Sequence, residues 1–206
     1  MMKNVINARQ LSYSYGHLRG LEDVSFSVQQ GDFFIIIGPN GSGKTTLLKC
    51  ISGILRPRTG RLEILGAAVQ GYSRKSLARS IALVPQTAPV DFPFTVTEVV
   101  LMGRSPHLGI LGVEHQQDLE RARQAMDFTG VASLAHRRLD QLSGGERQRV
   151  MIARAICQGP RIILLDEPTA SLDLAHQVRV MDLMERLRHE KKVTILMSSH
   201  DINLAA

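Results

Sequence analysis

Hydrophobic and polar positions follow two rhythms along this chain. In the opening segment they alternate, most clearly at Val24, Phe26 and Val28, which is the period of half-exposed antiparallel strands. Further on, residues 33–37, 81–84, 162–165 and 193–197 are short, predominantly apolar runs, as strands buried on both faces of a mostly parallel sheet are. Helical patterns separate these runs. Between residues 95 and 139 no such run occurs, and 114–128 combines helical spacing with many charges, which predicts an inserted helical lobe. The pattern predicts an α/β fold over residues 1–206. Residues 1–94 and 140–206 form the core with an N-terminal antiparallel β subdomain, and 95–139 form an α-helical subdomain.

Composition narrows the class. A chain of 206 residues with 44% hydrophobic side chains can bury a sizeable core. Its two cysteines, Cys50 and Cys157, sit in segments that read as helices with apolar neighbours, so they are expected as buried thiols in a reducing compartment. No apolar run approaches the roughly 20 residues needed to span a bilayer, and the start MMKNVINARQ lacks the apolar block of a signal peptide. The chain is therefore expected to be soluble. Lys and Arg outnumber Asp and Glu by 25 to 19, a formal charge of +6. The basic residues are scattered and not interleaved with aromatics, so they read as solvated surface, with no nucleic-acid partner.

The apolar run 33–37 leads directly into Gly38-Pro39-Asn40-Gly41-Ser42-Gly43-Lys44-Thr45, and Thr46 continues into a helical pattern. A triphosphate needs closely packed backbone N–H donors, which a glycine-rich turn before a helix N-terminus provides. Strand before and helix after match the phosphate loop of a P-loop NTPase. Lys44 is expected to reach the β and γ phosphates of ATP, and the Thr45 hydroxyl to ligate Mg²⁺. The run 162–165 ends in Asp166-Glu167-Pro168, placing two acids at the carboxyl edge of the sheet, where open α/β folds bind ligands. Asp166 fits as the holder of Mg²⁺, and Glu167 as the group that polarises the attacking water.

Leu142-Ser143-Gly144-Gly145-Glu146 opens another helical pattern. Ser143 and Glu146 have capping-box spacing, which alone accounts for them. The two glycines also allow close backbone approach at a helix N-terminus, a second phosphate-binding design in a chain with one phosphate loop. One site does not need both, so the economical arrangement has two chains head to tail, the Ser143 turn of one closing over the nucleotide held by Lys44 of the other.

With these motifs in place the sequence resembles the ATP-binding cassette family from its N-terminus to its last residues. The resemblance implies that Ser143, Gly144 and Gly145 contact the γ phosphate in trans, and that Tyr15 stacks on adenine, neighbouring Tyr13 being the alternative. It implies that Gln86 contacts Mg²⁺ and the attacking water, that Ser171-Leu172-Asp173 crosses the dimer interface, and that His200 touches the γ phosphate. By itself Asp173 also reads as a helix cap. The other histidines, among them His107, His136 and His176, read as surface or core packing. Members of the family usually continue past the switch histidine with further strand and helix, so the resemblance implies a fragment whose final part of the sheet is missing.

The resemblance further implies an ATPase working as a homodimer, or a pair of related subunits, at the cytoplasmic face of a membrane. It would drive an integral-membrane permease and indirectly serve a substrate-binding protein. Residues 98–107 and 200–206 resemble importers of iron chelates, haem and cobalamin, above importers of molybdate, zinc or manganese. Soluble cassette ATPases without a membrane partner, and a purely regulatory nucleotide switch, are the rival classes. The intact Glu167 and His200 weigh against the switch.

Overall fold

The computed structural model describes residues 3–87, 93–109, 112–170 and 173–201. Two sheets carry the fold. Strands β1 (Asn4–Tyr15) and β2 (Leu18–Gln29) form a long antiparallel hairpin, turning at Gly16 with φ 59°. Strand β3 (Phe33–Ile37) then leaves for the second sheet and runs into helix α1 (Lys44–Ile51). Strands β4 (Thr59–Ile64) and β5 (Ala67–Ala68) return to the hairpin and complete a sheet of order β2-β1-β4-β5. The alternating pattern of the opening segment did not extend to β4, which the sequence reading passed over.

Helix α2 (Arg74–Ser80) leads to β6 (Ile81–Val84). Helices α3 (Val96–Leu101) and α4 (Gln116–Thr129) follow, and α5 (Gly144–Cys157) returns the chain to β7 (Ile162–Asp166). Helix α6 (Leu174–Lys191) and β8 (Thr194–Ser199) close the described chain. The second sheet is parallel throughout, in the order β3-β8-β7-β6.

Every residue of β7 and β8 is buried, and side-chain alternation explains why both faces must be apolar. Ile163, Leu165, Ile195 and Met197 join a core with α3 to α6. Ile162, Leu164 and Leu196 join the other, with Leu47, Leu48 and Ile51 of α1 and the inner face of the β subdomain. Strand β6 is nearly as covered, but β3 departs from the expectation: Phe33 to Ile36 are only half-buried and Ile37 is 40% exposed. It is an edge strand of the described sheet, with Phe34 stacked on Phe26 of β2 at 5.7 Å. Both cysteines are free and buried, and burial pushes each thiol up to about 11. Among the described residues no helix is long and apolar enough to cross a membrane.

Helices α3 and α4 both fall within the helical lobe proposed for 95–139. Thr95 caps α3 through a reciprocal box with Glu98, and α3 and α4 pack their apolar stripes on α5. Arg104, only 6% exposed, binds this lobe together. Its Nε donates to Asp118 Oδ1 at 2.8 Å, in the first turn of α4, and a terminal nitrogen donates to the Cys157 carbonyl at 2.9 Å, at the end of α5. A cation suits that helix end, where unpaired carbonyls point. Neighbouring Gly103 lies so close that a Cβ there would stand 2.3 Å from the Arg154 carbonyl oxygen. The hydrogen bond from Arg104, and then the backbone N–H of His115, hold the Asp118 carboxyl below the usual carboxylate range.

Arg104→Ala is expected to lower stability by about 3–5 kcal/mol, because it leaves a buried carboxylate unpaired; denaturant unfolding measures this. The contribution of the pair is present above the unfolded Asp pKa and is lost as pH falls through the depressed folded value. The difference between wild type and variant should therefore shrink on acidification.

Candidate nucleotide site

Residues just beyond the carboxyl ends of β3, β6 and β7 line one cleft of about 540 Å³, and His200, beyond β8, reaches Glu167 at its edge. Out of β3, the Gly38 N–H donates to the Ser199 carbonyl at 3.2 Å, fixing the start of the glycine loop to the end of β8. Gly41 and Gly43 turn with φ of 81° and 91°, a region that side chains with a Cβ avoid. At Gly43 space forbids substitution as well, since a Cβ would stand 2.2 Å from the Gly20 carbonyl oxygen of β2. Pro39, Asn40 and Ser42 span the loop between these points, and Lys44 opens α1 at its base.

Lys44 is 6% exposed. Its ammonium donates to the carbonyls of Gly38 at 2.7 Å and Pro39 at 3.0 Å and pairs with Glu167 Oε1 at 3.1 Å. Thr45 Oγ1 donates to Asp166 Oδ1 at 3.0 Å, so the loop and the end of β7 are joined by two adjacent contacts. Glu167, 9% exposed, adopts φ 44°, a conformation that costs a non-glycine residue about 1–3 kcal/mol. Its backbone N–H donates to Ser198 Oγ at 3.0 Å, and that hydroxyl donates to Asp166 Oδ1 at 2.8 Å. Gln86 Nε2, beyond β6, donates to Glu167 Oε2 at 3.2 Å, and His200 Nδ1, beyond β8, lies 3.3 Å from the same oxygen.

Two hard oxygen donors, the Thr45 hydroxyl and the Asp166 carboxylate, stand together beside the loop, which suits Mg²⁺. Among the described residues no cluster of three or more His, Cys, Asp or Glu could hold a metal. Phosphate oxygens and water would therefore complete such an ion's shell. Tyr15 lines the cleft, 44% exposed, with its hydroxyl 3.4 Å from Thr46 Oγ1. Tyr13 packs edge-on against it at 4.9 Å and does not line the cleft.

The structure thus gathers Tyr15, the 38–46 loop, Gln86, Asp166, Glu167 and His200. Ser143, Gly144, Gly145 and Asp173 do not line this cleft. Ser143 caps α5 in the expected box with Glu146, and Asp173 caps α6 by accepting the His176 N–H at 2.9 Å. Ser171, Leu172 and residues 202–206 lie outside the described residues. The sequence reading missed Ser198, which is fully buried. Its only signal was a pair of serines closing the run 193–197.

Over most of its length the chain is similar to known proteins. The sequence model of the family described as ABC transporter matches residues 21–170. The iron(3+)-hydroxamate import ATP-binding protein FhuC of Bacillus subtilis is 42% identical over 98% of this chain and 76% of its own length. The cobalamin import ATP-binding protein BtuD of Halobacterium salinarum is 44% identical over 91% of this chain, which spans 47% of that relative. The hemin import ATP-binding protein HmuV of Gloeobacter violaceus is 44% identical over 90% of this chain and 69% of its own length. Among solved structures, the dimeric post-hydrolysis state of the ATP-binding cassette MJ0796 bound to ADP and Pi superposes with a TM-score of 0.81. It is 29% identical, covering 97% of this chain and 90% of that one.

Ser198→Ala removes the hydroxyl that serves both acids. We expect a loss of about 1–3 kcal/mol, the cost of a buried N–H left unpaired, together with a higher Mg²⁺ concentration for half-maximal ATP turnover. Thermal denaturation and a Mg²⁺ titration of the rate check the two parts.

Proposed function

The chain belongs to the ABC transporter family, and from that premise we propose that it hydrolyses ATP between two copies of itself, or a closely paired subunit, to drive an importer. The observation that carries the reading is the convergence of Lys44, Gln86 and His200 on the carboxylate of Glu167. A triphosphate in the glycine loop offers Lys44 stronger acceptors than the carbonyls of Gly38 and Pro39. When the ammonium turns to the β and γ phosphates, Glu167 keeps Gln86 and His200 and is free to accept a proton from water. That water attacks the γ phosphorus, the bond to the bridging oxygen breaks, and ADP and phosphate leave.

Phosphoryl transfer asks the protein mainly for position and charge. The loop amides from Gly38 to Thr46 and Lys44 hold the phosphates, Tyr15 offers a ring for the adenine, and Gln86 and His200 orient the water and the γ phosphate. Thr45 and Asp166, with Gln86 nearby, would hold Mg²⁺, which would supply neutralising charge to the phosphates. Ser143, Gly144, Gly145 and Asp173, which stand outside the cleft of their own chain, serve the nucleotide of the second copy. The dimeric form of MJ0796 supports that assignment.

The names of FhuC, BtuD and HmuV favour an iron chelate, haem or cobalamin as cargo. The partner is then an integral-membrane permease, with a substrate-binding protein acting on its far side. The chain sits peripherally at the cytoplasmic face, and the helical lobe passes closure and opening to the permease.

Glu167→Gln is expected to retain ATP binding while turnover falls at least about a hundredfold, in line with the loss of a general base. Lys44→Ala is expected to lose nucleotide affinity instead. Equilibrium binding of a fluorescent ATP analogue and steady-state phosphate release separate the two. Full hydrolysis by Glu167→Gln, or unchanged affinity in Lys44→Ala, contradicts the site. Co-purification of the tagged chain with a polytopic membrane protein supports the transporter, and retention on ribosomes or DNA at moderate salt contradicts it.

A further inference from the structure

One contact joins the two parts of the chain that the site leaves outside its own cleft. His176 lies in the first turn of α6, three residues after Asp173. Its backbone N–H donates to Asp173 Oδ1 at 2.9 Å and its ring Nδ1 lies 2.8 Å from the same oxygen. Those two bonds hold the Asp173 carboxyl below the usual carboxylate range and fix the ring beside its own helix end. The opposite edge of the ring faces Gly145 where a side chain would begin. A Cβ at that glycine would stand 2.4 Å from Cδ2 and 3.0 Å from Nε2.

Gly145 is buried and helical, in the first turn of α5. Its backbone needs no special angle, so the histidine ring is what excludes a side chain there. His176 itself is 31% exposed at its side chain, and neither it nor Gly145 lines the nucleotide cleft.

We propose that His176 is a positioning residue that clamps the Ser143–Gly145 turn to the Asp173 end of α6, so that both parts of the surface offered to a second copy's nucleotide move as one body. The inference rests on the reading that two copies share each nucleotide. It adds to that reading a side chain that touches neither nucleotide nor metal. Its physical basis is geometric: a hydrogen-bonded imidazole has one orientation, and a glycine against it leaves no slack. Two helix starts on separate connections of the sheet are thereby given a common position. Without the ring, the turn at α5 keeps its own Ser143–Glu146 box but loses its reference to α6.

The test uses the Glu167→Gln chain, so that ATP is bound without being consumed. Nucleotide affinity of the separate subunit and ATP-driven dimerisation are measured side by side, the latter by sedimentation. His176→Ala should leave the first within error and weaken the second about tenfold, an ordinary coupling between two sites. His176→Gln, which keeps a donor toward Asp173 and bulk toward Gly145, should recover part of the loss. His189→Ala, on the exposed side of α6, should change neither.

Hydrogen exchange in the separate subunit reads the clamp directly. Amides 144–147 should exchange about tenfold faster in His176→Ala, while peptides from β7 and β8 keep their rates, as expected of local opening. Equal dimerisation with and without the ring, or unchanged exchange over 144–147, overturns the clamp and leaves the shared-nucleotide reading standing. Absence of any ATP-driven dimer in Glu167→Gln removes that reading, and the clamp's role with it.

Discussion

One carboxylate, that of Glu167, is the point on which the four parallel strands agree. Strand β7 carries it, β3 reaches it through Lys44, β6 through Gln86 and β8 through His200. Each strand ends in a different loop, yet each contributes one side chain to the same pair of oxygens. The sheet order β3-β8-β7-β6 puts the acid on an inner strand with partners arriving from both sides. The backbone accepts φ 44° at this residue to aim it there, and strain of that kind persists only where the surroundings over-determine it. Here they do so through Ser198, which holds the Glu167 N–H on one side and the Asp166 carboxylate on the other.

Burying a cation and an anion in one cleft is unfavourable unless their remaining hydrogen-bonding capacity is met. The site meets it locally. The Lys44 ammonium has two loop carbonyls as well as its acid, and Glu167 has an amide and an imidazole as well as its cation. A triphosphate entering the loop therefore rearranges contacts that exist already. The same economy appears in the helical lobe, where Arg104 satisfies Asp118 and the last carbonyls of α5 at once. One end of α5 is thus fixed to the lobe, while the other presents Ser143 and Gly144. Movement of the lobe has a rigid lever of fourteen residues through which to act.

Much of this was legible in the residues. The glycine loop announces itself because phosphate binding demands positive φ and close backbone approach, which only that residue type allows. The run 162–165 ending in two acids was equally plain, as were the charged helical segment and the caps of α5 and α6. Other features were not, for a physical reason common to all. Burial of an apolar run depends on its place in the sheet, so Phe33 to Ile37 looked like a covered strand and is an edge. Strand β4 lacks a clear alternation because its opening residues, Thr59 to Arg61, are exposed while Leu62 and Ile64 are fully buried. Ser198 meets Glu167 and Asp166, and His176 meets Gly145, across more than 30 residues of sequence, and nothing in their immediate neighbours signals such contacts. Residues 98–107, which resembled a subgroup mark, include in Arg104 a structural tie whose partners lie at 118 and 157.

The decisive question for the dimer is whether a nucleotide held by one glycine loop is reached by the Ser143 turn of another chain. Two differently tagged Glu167→Gln copies, one unable to hold ATP through Lys44→Ala, allow this to be measured with an ATP analogue carrying a photoreactive group on its γ phosphate. Label is expected on peptide 143–146 of the copy bearing Lys44→Ala, dependent on the intact partner. Label confined to the copy that binds the nucleotide would contradict it.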